Sequence, residues 1–396
     1  MKEIKPAERI SDVHEYYFSV KLKEIAKMNS NGEKVINLGI GSPDMPPSEE
    51  AVETLALNAR RADAHGYQSY VGIPQLRNAF AAWYKKWYNV KLDPANEILP
   101  LMGSKEGIMH ITLAFINQGD GVLVPDPGYP TYTSVSKLAG ATIYNYSLDE
   151  SNGWEPDFKA IERADAEGRI SLDRTKLMWC NYPNMPTGAN GSPRLFEKLV
   201  EFGKRHNIII CHDNPYSFIL NEKPLTILSV TGSKECCIEL NSLSKAHNMP
   251  GWRIGMLATN PRFLEWILRV KSNMDSGMFR PMQLAAAKAL SAPKEWYDKM
   301  NALYAERRVL AKAIMEEIGA TVSDSQVGLF LWGKVGREAK ELCDRILYRA
   351  KVFLTPGFIF GNNGKNYVRI SLCCNKTQLF EALERIKKLE INKNAR

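Results

Sequence analysis

The sequence lacks a Cys-x-x-Cys pair, an internal repeat, a low-complexity tract and any apolar run near the length that spans a bilayer. Its seven cysteines are an odd number that includes two adjacent pairs, Cys236-Cys237 and Cys373-Cys374, so neither a disulfide framework nor a zinc site is indicated and no metal is expected. The opening residues MKEIKPAERI lack the apolar core of a signal peptide. These absences point to a soluble protein of a reducing cytoplasm. The formal charge of +8 comes from Lys and Arg scattered along the chain, and its densest runs, such as Lys387-Lys388, lie in helical patterns that read as solvated faces. Neither nucleic acid nor a membrane is an expected partner.

What is present is a chain of 396 residues, 44% hydrophobic and 24% charged, enough for two globular units with cores of their own. From about residue 97 to 260, short β-rich runs alternate with amphipathic helical patterns: EILPLM, a helix over 104–117, GVLVPD, a helix, ATIYNYSL, KLMWCN, a helix over 192–206, IIICH and CIELNS. That alternation predicts an α/β fold with a mostly parallel sheet sandwiched by helices. The runs LMWC and IIIC are apolar without alternation, so they belong in the sheet interior. After about residue 290 the pattern becomes a long helix over 293–319, short strands in QVGLFLWG, VFLTP and YVRISLC, and a closing helix over 376–391. The expected division is a large unit, 46–290, and a smaller α+β unit built from 1–45 together with 291–396.

The segment Asn241-Ser-Leu-Ser-Lys245-Ala-His-Asn-Met-Pro-Gly-Trp-Arg253 follows an apolar strand and sets two hydroxyls, an amine and a guanidinium close together. A lysine forms a Schiff base with an aldehyde, and once burial or neighbouring cations lower its pKa the same amine moves protons. Ser242, Ser244 and Arg253 suit a phosphate, the arginine offering a planar fork of donors. An isolated Ser-x-Ser-Lys is ordinarily a solvated lysine after a strand; a second segment changes the balance. Ile208-Ile-Ile-Cys-His-Asp213-Asn-Pro-Tyr216 is an apolar strand ending in a carboxylate, about thirty residues earlier, room for a strand–crossover–strand connection. A carboxylate at that strand end favours a protonated pyridine nitrogen, and Pro215 turns the Tyr216 phenol toward the same crevice. The bland alternative is a capping Asp and a core Tyr.

Two further loops fit the same crevice. Gly103-Ser104-Lys105 lies between a predicted strand and helix, where free backbone N–H groups and the helix dipole attract an anion, although a plain cap would serve the helix too. Pro125-Asp-Pro-Gly-Tyr129-Pro130 puts an aromatic ring on a rigid turn, placed to stack on a flat cofactor or simply to pack the loop.

In this order these segments resemble the class I/II aminotransferases, fold type I pyridoxal-phosphate (PLP) enzymes, and the likeness runs from about Asn37 to Cys374. The resemblance implies that Lys245 carries PLP as a Schiff base, Asp213 pairs with the pyridinium nitrogen, Tyr216 bonds the ring oxygen and Tyr129 stacks on the ring. It implies that Ser104, Lys105, Ser242, Ser244 and Arg253 take the phosphate. Asn37-Leu-Gly-Ile-Gly41 resembles the N-terminal substrate loop, with Gly41 against the substrate carboxylate, and Tyr367-Val-Arg369 resembles the strand whose arginine grips it. Tyr67 resembles a tyrosine lent to the neighbouring subunit's phosphate, which implies a homodimer with shared sites. Asn181-Tyr-Pro-Asn-Met-Pro-Thr-Gly-Ala is most similar to LL-diaminopimelate, aspartate or alanine aminotransferases, and Arg280 is a candidate partner for a distal carboxylate, against the plainer reading of a surface arginine.

Three rivals share parts of this reading. A PLP-dependent carbon–sulfur lyase would keep Lys245 and Asp213. A PLP-binding regulator would need a DNA-binding domain, for which about forty residues before the substrate loop is too short. A dinucleotide oxidoreductase would need more than Gly39-Ile-Gly41, which lacks a third glycine.

The sequence departs from the family pattern at Met185, where an asparagine before Pro-Thr-Gly bonds the ring oxygen, and at His247, two residues after the lysine, where the family carries an aromatic; packing is the expected role of His247. Methionine donates no such bond, so either Asn184, assigned here to the cofactor, or Asn181 replaces it, or Tyr216 acts alone. With a donor lost, the lysine–cofactor imine should titrate at higher pH in the natural protein than in Met185→Asn, and an absorbance titration giving the same midpoint for both would reject this.

Overall fold

The structure is a computed structural model that describes residues 4–391 apart from 12, 14 and 16. Its central sheet has seven strands: β2 (Ile98–Leu101), β3 (Gly121–Asp126), β4 (Thr142–Ser147), β5 (Thr175–Asn181), β6 (Ile209–Asp213), β7 (Cys237–Ser242) and β8 (Gly255–Ala258), in the order β2-β8-β7-β6-β5-β3-β4. The five strands from β4 to β7 run parallel, and β8 is antiparallel to both β7 and β2. The mostly parallel α/β architecture is therefore present, and the runs LMWC and IIIC lie in its interior as β5 and β6. The sequence reading did not contain β8. Four residues directly after the Arg253–Ile254 turn are too short to stand out as a strand, and only pairing on both sides makes them one.

Alternation within the strands builds two cores. Leu177 and Trp179 of β5 face one side with Leu101, Ile108 and Ile267; Met178 and Cys180 face the other with Tyr84, Phe196 and Leu199. Helices cover both sides, and their ends follow local chemistry. In the helix Pro193–His206, Ser192 accepts from Leu195 N at 3.1 Å and proline takes the first helical position, while Asn207, left-handed, stops the far end.

A smaller antiparallel sheet has the order β12-β13-β10-β9, with β9 (Thr321–Val322), β10 (Phe330–Lys334), β12 (Thr355–Pro356) and β13 (Tyr367–Ser371). The expected strand VFLTP is divided: β11 (Val352–Phe353) pairs in parallel with β1 (Ile36–Asn37), and after Leu354 the chain joins β13 as β12. The long helix spans Lys294–Glu317, and the closing helix ends at Lys387, short of the expected residue 391. Arg307 on the long helix donates to Asp44 Oδ1 and Oδ2 at 2.6 and 3.0 Å and to the Leu372 carbonyl at 3.1 Å, which ties the loop after Gly41 to this part of the molecule. Among the described residues, no helix is long and apolar enough to cross a membrane.

One buried polar network crosses the sheet on the face away from Asp213. Glu239 on β7 is opposite His212 on β6, and its carboxylate accepts from His212 Nδ1 at 2.8 Å, Tyr84 Oη at 2.6 Å, Thr226 Oγ1 at 2.8 Å and Ile227 N at 3.2 Å. Glu239→Ala leaves all four groups buried without their acceptor and should cost about 3–5 kcal/mol. A chemical-denaturation midpoint that moves by less than about 1 kcal/mol would show the network to be energetically idle.

Candidate active site

The parallel strands end at one edge of the sheet, where ligands of open α/β folds collect. A cavity of about 330 Å³ opens there. Register explains what meets in it. Gly255 is paired with Ser242 on one side and Leu101 on the other, so the loops following β7 and β2 are brought side by side. A Cβ on Gly255 would lie 2.8 Å from Ser104 N, and one on Gly103, whose φ is +84°, would lie 2.1 Å from Arg253 Nη2. Only residues without side chains permit both approaches.

The result is a cradle of donors. Ser104 opens the helix Ser104–Phe115, whose first N–H groups receive no side-chain cap from Gly103. Ser242 Oγ donates to Ser244 Oγ at 2.9 Å, and Arg253 Nη1 approaches Ser244 Oγ at 3.5 Å while donating to the Pro250 carbonyl at 3.0 Å. Burial, with Arg253 adding to it, lowers the pKa of Lys105. Cations crowded against a helix N-terminus are the makings of a dianion site.

Asp213 ends β6 at the floor of the cavity, 5% exposed. Its Oδ2 accepts from Tyr132 Oη at 2.9 Å, and its buried Oδ1 has no hydrogen-bond partner among the described residues. Burial pushes its pKa up to about 6, against the pull of Tyr132, His212 and Lys245. Lys245 lines the same cavity, and its amine donates to the Gly41 carbonyl at 2.5 Å. Burial lowers its pKa, and Arg369 and Arg253 act in the same direction. Tyr129 and Tyr216 also line the cavity, and burial raises the pKa of each phenol, so both are neutral donors at ordinary pH.

Arg369 on β13 reaches the cavity from the smaller sheet. Its Nη2 donates to the Gly39 carbonyl at 2.6 Å, and its guanidinium sits 4.0 Å from the Phe330 ring centroid, 4.6 Å from Phe360 and 5.4 Å from Phe18. Met185 Sδ lies 3.1 Å from Arg369 Nη1, so methionine at this position contacts the arginine.

Several of the singled-out residues stand apart from this cavity. Asn184, assigned above to the cofactor, does not line it: its Nδ2 donates to the Asn181 carbonyl at 3.2 Å and its Oδ1 accepts from Thr187 Oγ1 at 2.8 Å, so the amide is consumed inside its own turn. Asn181 lines the cavity instead, with Nδ2 donating to the Asp213 carbonyl at 2.6 Å and Oδ1 accepting from Met185 N at 2.7 Å. Tyr67 is 94% exposed and lies outside the cavity of its own chain. Arg280 also lies outside it and donates to Asp63 Oδ2 at 3.2 Å. His247 is buried, bonded through Nε2 to Tyr297 Oη at 3.0 Å, and burial lowers its pKa to about 4.

Tyr132 was not anticipated. It lies three residues after Tyr129 in the helix Pro130–Leu138, and its ring stacks on Trp179 with centroids 5.0 Å apart and planes 2° from parallel. Two phenols spaced three apart on a helix opening onto a cofactor loop were a signal in the sequence, because that spacing puts both on one face.

The donors fit a phosphorylated pyridine aldehyde. A phosphate matches the cradle, an amine of lowered pKa is present to bond an aldehyde, and the orphaned Asp213 Oδ1 awaits a buried N–H cation.

A family model described as aminotransferase class I and II matches residues 33–386. An LL-diaminopimelate aminotransferase of Aquifex aeolicus (strain VF5) is 40% identical over 389 residues, covering 97% of this chain and 99% of that protein. One from Moorella thermoacetica (strain ATCC 39073 / JCM 9320) is 38% identical over 387 residues, covering 97% and 98%. Among solved structures, substrate-bound BacF from Bacillus subtilis superposes with a TM-score of 0.91 at 35% identity over 98% of both chains. A probable N-succinyldiaminopimelate aminotransferase from Thermus thermophilus gives 0.85 at 32% identity over 94% of this chain and 99% of the other.

A carboxyl whose pKa is raised on folding binds its proton more tightly in the folded state, so stability falls as pH rises through the window from 3.8 to about 6. Freed of ligand, the natural protein should lose on the order of 3 kcal/mol relative to Asp213→Asn across that window, measured as the difference between their denaturation midpoints. A difference that stays flat with pH would show that Asp213 keeps an ordinary pKa.

Proposed function

Because the chain belongs to the class I and II aminotransferases, whose cofactor is pyridoxal phosphate, we propose that it transfers an amino group between an amino acid and a 2-oxo acid by a ping-pong mechanism. LL-diaminopimelate is the donor we favour among the candidates aspartate, glutamate, alanine and LL-diaminopimelate, since the relatives above at 38–40% identity carry that name. The observation that carries the reading is a cavity holding both the Lys245 amine and the orphaned Asp213 oxygen beside a dianion cradle.

In this reading Ser104, Lys105, Ser242, Ser244 and Arg253 would hold the phosphate, and Lys245 would bond the aldehyde. When bound, the cofactor supplies an electron sink for the pair left at the substrate Cα as its proton departs. Asp213 holds a proton on the ring nitrogen by opposing its charge, and Tyr132 keeps the carboxylate aimed. Tyr216 would donate to the ring oxygen, and Tyr129 would cover the ring. Arg369 grips the α-carboxylate with its planar fork, backed by Gly41. The Lys245 amine would take the Cα proton; its lowered pKa leaves more of it as free base at neutral pH. The same residues would bind and orient the oxo acid and return the proton in the second half-reaction, the cofactor carrying the amino group between the two.

The reading includes a homodimer in which the exposed Tyr67 of each chain reaches the other's phosphate, a large unit spanning 46–290, a smaller one of 1–45 with 291–396, and residence in the cytoplasm. A lyase on the same scaffold is the competing chemistry.

Lys245→Ala should lower kcat by about 10²–10⁴-fold, with borohydride labelling of the holoenzyme lost at that position. Initial rates should give parallel double-reciprocal lines, and single-turnover bleaching of the cofactor absorbance should be fastest with LL-diaminopimelate. Intersecting lines, or pyruvate released from cystathionine with no oxo acid added, would overturn the assignment.

A further inference from the structure

The turn that carries Tyr129 and the strand that carries Arg369 belong to different sheets, and one carboxylate joins them. Asp126 ends β3, three residues before Tyr129. Its Oδ2 accepts from Asn362 N at 3.1 Å, its Oδ1 accepts from Asn363 N at 3.0 Å, and its own carbonyl accepts from Asn363 Nδ2 at 3.1 Å. Beside it, Gly128 N donates to the Phe360 carbonyl at 2.8 Å. A Cβ on Gly361 would lie 2.1 Å from Asp126 Oδ1, so the carboxylate occupies the place of a side chain there. The loop so held presents Phe360, buried against Trp332, to the Arg369 guanidinium at 4.6 Å.

We propose that Asp126 is a positioning residue for the transamination, a latch that fixes the separation between Tyr129 and Arg369 through the loop 360–363. Two consecutive backbone N–H groups on one carboxylate make a directional, charge-assisted contact. The carboxylate touches neither cofactor nor substrate: it does not line the cavity, and it acts through Phe360 on one side and the Pro127-Gly128-Tyr129 turn on the other. Arg369 takes its orientation from the Gly39 carbonyl and from the rings around it, so a loop that drifts withdraws Phe360 from that frame and loosens the fork's aim at the α-carboxylate. The inference rests on Arg369 binding that carboxylate.

The test uses holoenzyme with two substitutions that open the latch in different ways. Asp126→Ala removes the acceptor; Gly361→Ala keeps the charge but puts a methyl where Oδ1 sits. Each should raise the KM of both amino donor and oxo acid about tenfold, with kcat within about threefold and the cofactor absorbance band unmoved. Asp126→Asn, which keeps one acceptor oxygen, should fall between them and the natural enzyme and serves if the alanine variants fold poorly. Unchanged KM in variants whose melting temperature falls would overturn the proposal, because a merely structural staple costs stability alone. Loss of cofactor retention at unchanged KM would overturn it as well. Arg369→Lys is measured in parallel: if it leaves KM unmoved, the carboxylate fork on which the latch rests has failed, whereas a raised KM there with unchanged KM in the latch variants overturns the latch alone.

Discussion

A carboxylate kept in the protein interior with one oxygen unsatisfied is costly, and much of this molecule is organised around keeping Asp213 there. The cost is tolerated only where something of opposite charge is to be received. Around it the structure supplies restraint without neutralisation. Tyr132 fixes one oxygen, Asn181 holds the backbone carbonyl of the same residue, and Trp179 beneath Tyr132 keeps the phenol from swinging away. On the opposite face of the same strand, His212 and Glu239 bind β6 to β7, so the strand that presents the acid is firmly held. Among the described residues no cation lies within hydrogen-bonding distance of it, so its charge is left uncompensated at the cavity floor.

The electrostatics divide the cavity into three ends. Arg253, Lys105 and a helix terminus make one end strongly positive, Asp213 makes the floor negative, and Arg369, buried among aromatic rings, is a further positive group on the lining. Burial first, with Arg369 and Arg253 acting in the same direction, lowers the pKa of the Lys245 amine even with a carboxylate in the same cavity. A base and an anion receptor are thereby produced by the same cations.

Much of this was legible from residues because the fold writes itself in periodicity. LMWC and IIIC are apolar without alternation, and they became β5 and β6, covered on both faces. Segments ending in polar residues after apolar strands marked the edge where the cavity lies. What was hidden depended on tertiary pairing. Strand β8 is four residues long and exists because β7 and β2 flank it; the division of VFLTP between two sheets depends on β1, more than three hundred residues away. Asn184 and Asn181 both precede the same Pro-Thr-Gly, and composition cannot tell which amide a turn will consume. The spacing of Tyr129 and Tyr132 hinted at a shared face, but only the fold shows the Tyr132 phenol meeting Asp213 and Trp179.

The parallel pairing of Ile36–Asn37 with Val352–Phe353 has a consequence for biogenesis. Leu38 N donates to the Phe353 carbonyl and the Leu38 carbonyl accepts from Ser371 N, so the segment leading to Gly41 has no partner until residues 352–353 exist and is not fully seated until Ser371 does. During synthesis the seven-stranded sheet is complete once Ala258 has left the ribosome, whereas the loop that supplies Gly41 stays undocked for more than a hundred further residues. Contacts of such high sequence separation form late. The emerging polypeptide therefore brings the loops after β2 and β7 together long before the segment at Gly41 can dock beside them.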